Sequence, residues 1–493
     1  MNPAQNIRDY NQAYFLGIGG IGMSAIARYF LQIGLPVMGY DKTPTPLTKA
    51  LEREGAVISY NDQLEALPMS VINDIENTLF ILTPAIPKDH AQWIWLIDQK
   101  ATILKRSEVL GQIARGGYCI AVAGTHGKTT TSTLIAHLLY ECNINFTAFL
   151  GGISANYNTN YLRKTDGVNY QARGSNHQSG DTNNQSSSSS EAKEIIVLEA
   201  DEFDRSFHRL NPDLAVITAI DPDHLDIYGT PEAFEQAFIE FTHLIQPNGG
   251  LMIQENLKIE ITPNVKTHTY GLDISANYQA HNVHINQGDF CFTLTRDQRE
   301  IAPFRCGLPG HHNVQNAMAA LGICQGFLKL PIELLQTGIA NYKGAKRRFE
   351  YVHKSENFVV IDDYAHHPEE LNAIIGSVRT LYPNQMITGI FQPHLFSRTQ
   401  DFAQGFANSL SNLDHIWLMD IYPAREKPIP GITSEWLLNM ISNPNKTLVN
   451  PLTALQKIES AKPKILLILG AGDIDQIVQP IANLYLKIDA LTE

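Results

Sequence analysis

The segment AVAGTHGKTTT, residues 121–131, decides how this chain folds. It completes an apolar run from Tyr118 that predicts a buried strand, and it leads into a helical pattern at residues 133–139. A strand, a glycine turn with Gly-Lys-Thr and a helix form a phosphate-binding loop, because backbone N–H groups and the helix N-terminus then face the phosphate oxygens. We expect Lys128 to supply positive charge for the terminal phosphates and Thr129 to supply an oxygen ligand for Mg²⁺.

This segment departs from the usual eight-residue phosphate-loop pattern at one position. The pattern has glycine five positions before Gly127, where this chain has Val122. The alternative is a strand-to-helix turn that carries a lysine by chance. Because strand, turn and helix follow in the required order, the sequence favours the phosphate loop.

Length and composition limit the class of protein. A chain of 493 residues predicts two to four domains. Its formal charge of −13 argues against a general nucleic-acid surface. The five cysteines show no Cys-x-x-Cys pairing, the N-terminus is polar, and no run of about 18 apolar residues occurs. We therefore expect a cytoplasmic protein that binds neither nucleic acid nor a membrane.

A second glycine motif lies near the N-terminus, at Gly17-Ile-Gly-Gly-Ile-Gly22. It follows an apolar run at 13–16 and precedes a helical pattern from Met23, and a second run ends at Asp41. This order is typical of a dinucleotide-binding unit, with a pyrophosphate at the helix N-terminus and Asp41 near a ribose or base. Nicotinamide dinucleotide is the default ligand of such a motif, and the residues alone leave it open.

Patterns along the chain predict three domains, at residues 1–117, 118–343 and 344–493. Residues 165–190 interrupt the second domain with Asn, Gln, Ser, Gly and Asp and end in five serines. Such a composition buries too little apolar surface to offset the entropy of ordering. It predicts a disordered surface insertion.

Several further apolar runs end in polar side chains, as expected at the ligand-binding edge of an open α/β sheet. One run ends at Glu199, where ATPases with such a loop place the carboxylate that holds Mg²⁺. Another leads to His224 beside carboxylates, a candidate metal ligand or a surface hydrogen-bonding residue. Asn313 and Asn316 begin a helical pattern, where amides either cap the helix or contact a nucleotide.

The last third repeats this arrangement. Residues 346–348, Lys-Arg-Arg, form either a solvated patch or a phosphate clamp. The apolar run 358–361 delivers Asp363, and the run 389–391 delivers His394. These residues are expected at one edge of a second Rossmann-like sheet.

Taken together, these segments resemble the Mur ligases (muramyl ligases), the family that builds the stem peptide of peptidoglycan. The resemblance covers nearly the whole chain and rests on the ordered motifs GIGGIGM (17–23), AGTHGKTTT (123–131), EADE (199–202), DH (223–224), HNVQN (312–316), RRF (347–349), DDYAHHP (362–368) and FQPH (391–394). It implies a three-domain α/β fold, with an N-terminal Rossmann-like UDP-binding domain, a central P-loop ATPase domain and a C-terminal Rossmann-like domain.

The resemblance implies ATP-dependent ligation of L-alanine to the carboxylate of UDP-N-acetylmuramate through an acyl phosphate, with Mg²⁺ as cofactor. It assigns the N-terminal glycine motif to a UDP-sugar rather than to nicotinamide. The protein would act as a monomer or a homodimer. Two alternatives remain, a recycling ligase that joins a murein tripeptide to the same sugar nucleotide and a non-catalytic sensor of UDP-sugar and ATP.

The resemblance also implies roles for individual residues. Those expected to be catalytic are Lys128, Glu199, His224, Arg348 and Asp363. Those expected to bind ATP are Gly124, Thr125, His126, Gly127, Lys128, Thr129, Thr130, Asn313, Asn316, Arg348 and Asp363. Those expected to bind the UDP-sugar are Gly17, Gly19, Gly20, Gly22, Met23, Ser24, Asp41, Thr83, Arg106 and His126. Those expected to bind the amino acid are His366, His394 and Arg398, and those expected to bind metal are Thr129, Glu199 and His224.

Two features of the amino-acid site are left open. Relatives can carry arginine where this chain has Leu395, which leaves the contacts to the alanine carboxylate undecided. The base that deprotonates the alanine ammonium is one of three candidates, His366, His367 or Asp363.

We predict that residues 171–190 are dispensable. A flexible surface segment adds little closure entropy, because that entropy grows only with the logarithm of loop length. A protein that joins Tyr170 directly to Glu191 should keep the melting temperature and turnover of the full chain. A large loss of either, in thermal unfolding or in an activity assay, would contradict this prediction.

Overall fold

The computed structural model describes residues 7–170, 193–222, 225–286, 289–424 and 426–490. The chain forms two compact units. Unit 1 comprises residues 1–281, 293–304 and 316–341, and unit 2 comprises residues 282–292, 305–315 and 342–493. Within the described ranges, no helix is both long enough and apolar enough to cross a membrane.

The first sheet contains the strands before and after the N-terminal glycine motif. Its five strands are parallel and have the order β3-β2-β1-β4-β5, as in a Rossmann-like domain. The strands are β1 (Gln12–Leu16), β2 (Val37–Tyr40), β3 (Val57–Ser59), β4 (Thr78–Leu82) and β5 (Ile103–Lys105). The helices are α1 (Ile21–Gln32), α2 (Pro46–Arg53), α3 (Met69–Asn73), α4 (Ala91–Asp98) and α5 (Arg106–Arg115). The predicted order of strand, glycine turn, helix and strand is confirmed.

The second sheet has ten strands in the order β15-β14-β13-β12-β11-β10-β6-β9-β7-β8. Its strands are β6 (Tyr118–Ala123), β7 (Phe146–Phe149), β8 (Tyr161–Lys164), β9 (Ile195–Glu199), β10 (Leu214–Ile217), β11 (Gly250–Gln254), β12 (Lys266–Gly271), β13 (Tyr278–Asn286), β14 (Asp289–Arg296) and β15 (Arg299–Cys306). Its helices are α6 (Lys128–Glu141), α7 (Leu225–Tyr228), α8 (Pro231–Thr242), α9 (His311–Leu321) and α10 (Ile332–Asn341). The strand that precedes the phosphate loop is therefore central and parallel to both of its neighbours.

The third sheet lies in unit 2 and has the order β16-β17-β21-β18-β19-β20, with only its edge strand β16 antiparallel. Its strands are β16 (Glu350–Lys354), β17 (Val359–Asp363), β18 (Ile387–Phe391), β19 (His415–Leu418), β20 (Lys446–Leu448) and β21 (Ile465–Leu469). Its helices are α11 (Pro368–Leu381), α12 (Phe396–Asp401), α13 (Ala403–Leu410), α14 (Ser434–Met440), α15 (Pro451–Ala461) and α16 (Val478–Ala490). The strands predicted at 358–361, 389–391 and 465–469 are all present.

Local sequence explains where several helices begin. Thr230 accepts a hydrogen bond from the N–H of Ala233 at the start of α8, and Asn450 caps α15 in the same way. Each cap is followed by proline. Proline is favoured at the first helical position because a backbone N–H there would have no acceptor within the helix, so its absence costs nothing. These signals fix the start of α8 and α15 without help from tertiary contacts.

The predicted disordered insertion begins later than expected. Residues 165–170 are ordered, since the amide N–H of Gly167 donates to the side chain of Asn145 at 2.6 Å, and Val168 exchanges backbone hydrogen bonds with Asn143 and Asn145. The ring of Tyr170 contacts that of Tyr118 at 5.3 Å. The prediction was wrong for these six residues because short polar segments gain order from neighbouring backbone. Residues 171–190 lie outside the described residues.

We predict that the apolar packing behind the phosphate loop is a main source of stability. Ile135 on α6 is fully buried, so Ile135→Ala should lower the free energy of unfolding by about 2–5 kcal/mol. The matched control is Ile274→Ala, because Ile274 is 72% exposed and its loss should change stability by less than about 0.5 kcal/mol. Urea denaturation of both variants measures the difference, and equal effects would contradict the prediction.

Candidate active site

The phosphate loop is a four-residue turn, Gly124 to Gly127, fixed by the residues that directly follow the neighbouring strand β10. The N–H of Thr125 donates to the carbonyl of Ala219 at 3.0 Å, and the hydroxyl of Thr218 donates to the carbonyl of His126. Val122, which departs from the usual glycine, lies inside β6 and is fully buried. The strand therefore continues through this position, and the turn starts two residues later.

Two glycines of the loop are required by the backbone conformation. Gly124 has φ +127° and Gly127 has φ +82°, a region that residues with a side chain rarely adopt. A Cβ at Gly124 would collide with the hydroxyl of Thr218, and one at Gly127 would lie 2.5 Å from Oδ1 of Asn316. Asn316 also accepts a hydrogen bond from Thr131 at 3.3 Å, so it packs against the loop, and the nucleotide contact expected of it stays a prediction.

Lys128 is the first residue of α6 and forms an ion pair with Glu202. Its Nζ lies 2.8 Å from both carboxylate oxygens of Glu202 and 2.6 Å from the carbonyl oxygen of Gly124. Burial alone would lower the pKa of Lys128, but the carboxylates of Glu202, Asp201 and Glu199 outweigh it and raise this pKa. The lysine is therefore charged and positioned within the loop.

Glu199 ends β9 beside the phosphate loop. It pairs in register with Val122 of β6, so both strands deliver their polar ends to the same edge of the sheet. Its carboxylate occupies the space where a Cβ at Gly151 would lie. His224, the predicted partner of Glu199 and Thr129 at the metal, lies outside the described residues. No group of three metal-ligating side chains occurs in the part of the chain that the structure describes.

The approach to the loop is also lined by His126 and Asp221. The Nε2 of His126 lies 3.6 Å from the carboxylate of Asp221, and the N–H of Asp221 donates to the hydroxyl of Thr125 at 3.0 Å. Thr130 is buried in the first turn of α6. Thus Asp221, three residues before His224, anchors the loop from β10.

The N-terminal glycine motif forms a second concave loop, at the carboxyl end of the first sheet. The N–H of Gly19 donates to the carboxylate of Asp41 at 2.6 Å. Gly17 has φ +86°, and a Cβ there would collide with Thr83. Gly20 is the N-cap of α1. The structure therefore brings together these residues of the predicted UDP-sugar set.

Arg106 connects the N-terminal glycine motif to the segment that follows β9 within unit 1. Its guanidinium fills the space beside Gly22 and forms an ion pair with Asp201 at 2.8 Å. Met23 packs in the apolar core, so a ligand contact from it requires its backbone N–H. Ser24 is fully buried and accepts a hydrogen bond from Asn160 at 2.9 Å.

In unit 2, Asp363 supports the turn that carries Arg348. Its carboxylate accepts hydrogen bonds from the N–H groups of Phe349, at 2.7 Å, and Ala365, at 2.8 Å. Burial raises the pKa of Asp363 to about 6, although Arg348 acts in the opposite direction. Arg348 lies 3.4 Å from Glu370 and 5.2 Å from the ring centre of Tyr364. Asp363 thus positions the arginine through the backbone.

The predicted amino-acid residues cluster in the same unit. The rings of His366 and His394 are 6.2 Å apart, and Arg398 is buried close enough to influence His366. Burial lowers the pKa of His366 to about 4, against the effect of Glu370, so this imidazole is neutral at pH 7. Leu395, where relatives can carry arginine, has φ +69°.

Asn313 lies at the start of α9. Its side-chain amide donates to the carbonyl of Pro309 at 2.7 Å. This contact ties the first turn of α9 to the preceding residue Pro309, but it is not an N-cap, because the amide donates to a carbonyl oxygen instead of accepting from a backbone N–H. A nucleotide contact by Asn313 stays a prediction.

Three family models describe the chain: the Mur ligase family catalytic domain over residues 12–118, the Mur ligase middle domain over 122–324, and the Mur ligase glutamate ligase domain over 347–472. The chain belongs to the Mur ligase family. A UDP-N-acetylmuramate–L-alanine ligase from Flavobacterium johnsoniae is 43% identical over 97% of this chain and 99% of its own length. A UDP-N-acetylmuramate–L-alanine ligase from Porphyromonas gingivalis is 45% identical over 95% of this chain and 98% of its own length.

Solved structures of Mur ligases share the fold. A UDP-N-acetylmuramate–alanine ligase from Thermotoga maritima matches with a TM-score of 0.76 at 24% identity, over 97% of this chain and 99% of that one. A murein peptide ligase from Psychrobacter arcticus matches with a TM-score of 0.64 at 20% identity, over 96% and 98%. The predicted three-domain α/β Mur ligase fold is confirmed, and this Mur ligase uses ATP.

Sequence reasoning missed the residues that hold the predicted ones in place. Glu202 contacts Lys128, Asp201 contacts Arg106, and Thr218 contacts the backbone of the phosphate loop. The only sequence signal was the second half of the EADE motif, whose two later carboxylates had no assigned partner. Their partners are 74 and 95 residues away, and only the sheet order brings them close.

We predict that Gly127→Ala blocks nucleotide binding through contact with Asn316. Gly229→Ala is the matched control, because Gly229 has φ +81° but nothing lies within 4 Å of a Cβ there. Both variants carry a similar backbone strain of about 1–2 kcal/mol. Calorimetric titration with ATP should give at least a tenfold weaker affinity for Gly127→Ala only. Equal affinities in the two variants would show that the alanine methyl fits the loop.

Proposed function

We propose that this Mur ligase joins L-alanine to the carboxylate of UDP-N-acetylmuramate, with ATP as energy source. The observation that carries the proposal is the set of full-length relatives, 41–45% identical to this chain, that are named UDP-N-acetylmuramate–L-alanine ligase. Such identity over nearly the whole length, together with the motifs of all three domains, supports the same substrates here.

The reaction must activate a carboxylate, because a carboxylate and an amine do not condense in water. Transfer of the γ-phosphoryl group of ATP to the muramyl carboxylate gives an acyl phosphate and ADP. Attack by the alanine amine gives a tetrahedral intermediate, which releases phosphate and leaves the amide. Negative charge develops on phosphoryl oxygens in the first step, so a preorganised cation is the main requirement. Lys128, charged and placed at the N-terminus of α6, meets it.

Mg²⁺ fits the donors at this edge of the sheet. Thr129 and Glu199 offer hydroxyl and carboxylate oxygens, the hard ligands that this ion prefers. Glu199 ends β9, and Thr129 lies in the first turn of α6, the helix that follows the neighbouring parallel strand β6. Bound there, Mg²⁺ would neutralise charge on the ATP phosphates. His224 is proposed as a further ligand from its sequence position.

The amine step is assigned to unit 2. Among the three candidate bases, Asp363 already accepts two backbone hydrogen bonds, and His367 accepts one from Glu369 at the start of α11. His366 has Nδ1 2.9 Å from the carbonyl oxygen of Tyr364, and the burial that keeps this imidazole neutral at pH 7 also makes it a weak base. All three residues therefore stay candidates for the base, with His394 and Arg398 proposed at the amino acid.

The sugar nucleotide is assigned to the N-terminal glycine motif. A pyrophosphate at the N-terminus of α1 would meet backbone N–H groups and the guanidinium of Arg106. Asp41 is positioned to meet a ribose hydroxyl. A cytoplasmic location and a monomeric or dimeric state stay predictions.

A recycling ligase that takes a whole tripeptide is the second candidate, but no observation in the described part of unit 2 favours it. The murein peptide ligase from Psychrobacter arcticus is similar in fold only, at 20% identity. A non-catalytic sensor is disfavoured because Lys128, at the start of α6, and Glu199, at the end of β9, are both present.

The proposal predicts ATP-dependent phosphate release with UDP-N-acetylmuramate and L-alanine. Each amino acid of a panel containing alanine, glycine and serine would be assayed separately, and the tripeptide L-alanyl-γ-D-glutamyl-meso-diaminopimelate would be the competing substrate. We expect the highest kcat/KM with alanine and none with the tripeptide. The opposite preference would identify a recycling ligase.

The variant Lys128→Ala tests whether this lysine takes part in phosphoryl transfer. Lys128→Ala removes the cation at the transferring phosphoryl group and should lower turnover about a thousandfold. Positional isotope exchange in ATP reports acyl-phosphate formation without turnover of alanine. Wild-type exchange in Lys128→Ala would mean that phosphoryl transfer takes place elsewhere.

A further inference from the structure

The ammonium group of Lys128 has no spare donor in this structure. It has three N–H donors, and its Nζ lies 2.6 Å from the carbonyl oxygen of Gly124, 2.8 Å from each carboxylate oxygen of Glu202 and 3.5 Å from the carbonyl oxygen of Thr125. A phosphate oxygen can therefore receive a hydrogen bond from Lys128 only after one of these contacts is broken. Glu202 is the side chain among them, and an incoming anion competes with it directly.

We propose that Glu202 is an internal counter-ion that the phosphates of ATP replace at Lys128. It is thus a positioning residue, which holds the ammonium group of Lys128 at the loop until ATP binds. This inference rests on the proposed ATP site. It assigns Glu202 a task different from that of Glu199, whose carboxylate lies against Gly151 on the other side of the motif.

Burial explains why such a counter-ion is needed. The side chain of Lys128 is 16% exposed and that of Glu202 only 4%. A charge that is buried without a partner is costly, because a low-dielectric environment disfavours it. The carboxylate of Glu202 lies 2.8 Å from Nζ of Lys128 and compensates that charge. In the enzyme without ATP, Glu202 therefore occupies the place at Lys128 that a phosphate group would take.

The backbone holds the carboxylate in place. The carbonyl oxygen of Glu202 accepts hydrogen bonds from the hydroxyl of Tyr228, at 2.5 Å, and from the N–H of Arg205, at 3.0 Å. The preceding residue, Asp201, pairs with Arg106 beside the N-terminal glycine motif at 2.8 Å. Two consecutive carboxylates thus neutralise one cation at each of the two glycine loops.

ATP binding then becomes an exchange of one anion for another at Lys128. The affinity for ATP is lowered by the free energy needed to separate Lys128 from Glu202. A hydrogen bond to a charged group contributes about 1.5–3 kcal/mol, which corresponds to about tenfold or more in a dissociation constant. Removing the charge of Glu202 should therefore strengthen ATP binding, although it removes a contact of the free enzyme.

The test is Glu202→Gln in the full-length protein, titrated calorimetrically with ATP and Mg²⁺ in the absence of amino acid and sugar nucleotide. We expect a dissociation constant about tenfold lower than that of the wild type, with a lower melting temperature before ATP is added. A purely structural role would lower the melting temperature without strengthening binding. An unchanged or weaker affinity would overturn the proposal.

Two controls distinguish this inference from the proposed function. Glu194→Gln makes the same chemical change next to β9, at an ion pair with Arg163 of 3.3 Å, and should leave ATP affinity unchanged. Lys128→Ala should lose ATP binding. If Lys128→Ala binds ATP with the affinity of the wild type, the proposed ATP site is wrong. If Lys128→Ala loses ATP binding but Glu202→Gln does not bind ATP more tightly, only the role of Glu202 is overturned.

A stability measurement covers the case in which Glu202→Gln folds poorly. Lys128→Met leaves Glu202 buried without its cation and should lower the melting temperature. The double variant Lys128→Met, Glu202→Gln removes both charges and should recover most of that loss. Failure of the double variant to recover would mean that the two charges are not coupled in the free enzyme, which contradicts the proposal.

Discussion

The conformation of the turn from Gly124 to Gly127 is the constraint on which the active site depends. The turn exists because β6 is a central strand that is buried from Cys119 to Ala123, and because Thr218 and Ala219, which follow β10, supply a hydroxyl donor and a carbonyl acceptor that fix its backbone. With the turn fixed, α6 must begin at Lys128, and its ammonium must lie near the carbonyl of Gly124. Every proposed role of Lys128, Thr129 and Glu199 follows from this geometry.

The same physical rule operates at both glycine loops of unit 1. Each loop presents donors suited to an anion, and in each a carboxylate of the chain meets one of those donors. Asp41 does so at Gly19, and Glu202 does so at Lys128. Groups that bind phosphate tightly are costly to leave buried without a partner, so the protein supplies one from its own sequence.

The sequence predicted most of this architecture because the signals were local. Apolar runs of four to six residues followed by polar residues located β6, β9 and β17, and the glycine patterns located both loops. The partners of Lys128 and Arg106 could not be predicted, since they depend on which strands become neighbours. The order of residues 165–170 was missed because it comes from backbone contacts with Asn143 and Asn145, which composition does not report.

The adjacency of Asp201 and Glu202 limits how the length of this chain can change during evolution. Each residue neutralises a cation that belongs to a different loop, and the two are separated by a single peptide bond. Loss or gain of one residue between Glu199 and Phe203 would shift both carboxylates at once. Length changes are therefore expected to be rejected in this short segment, whatever the chain accommodates elsewhere.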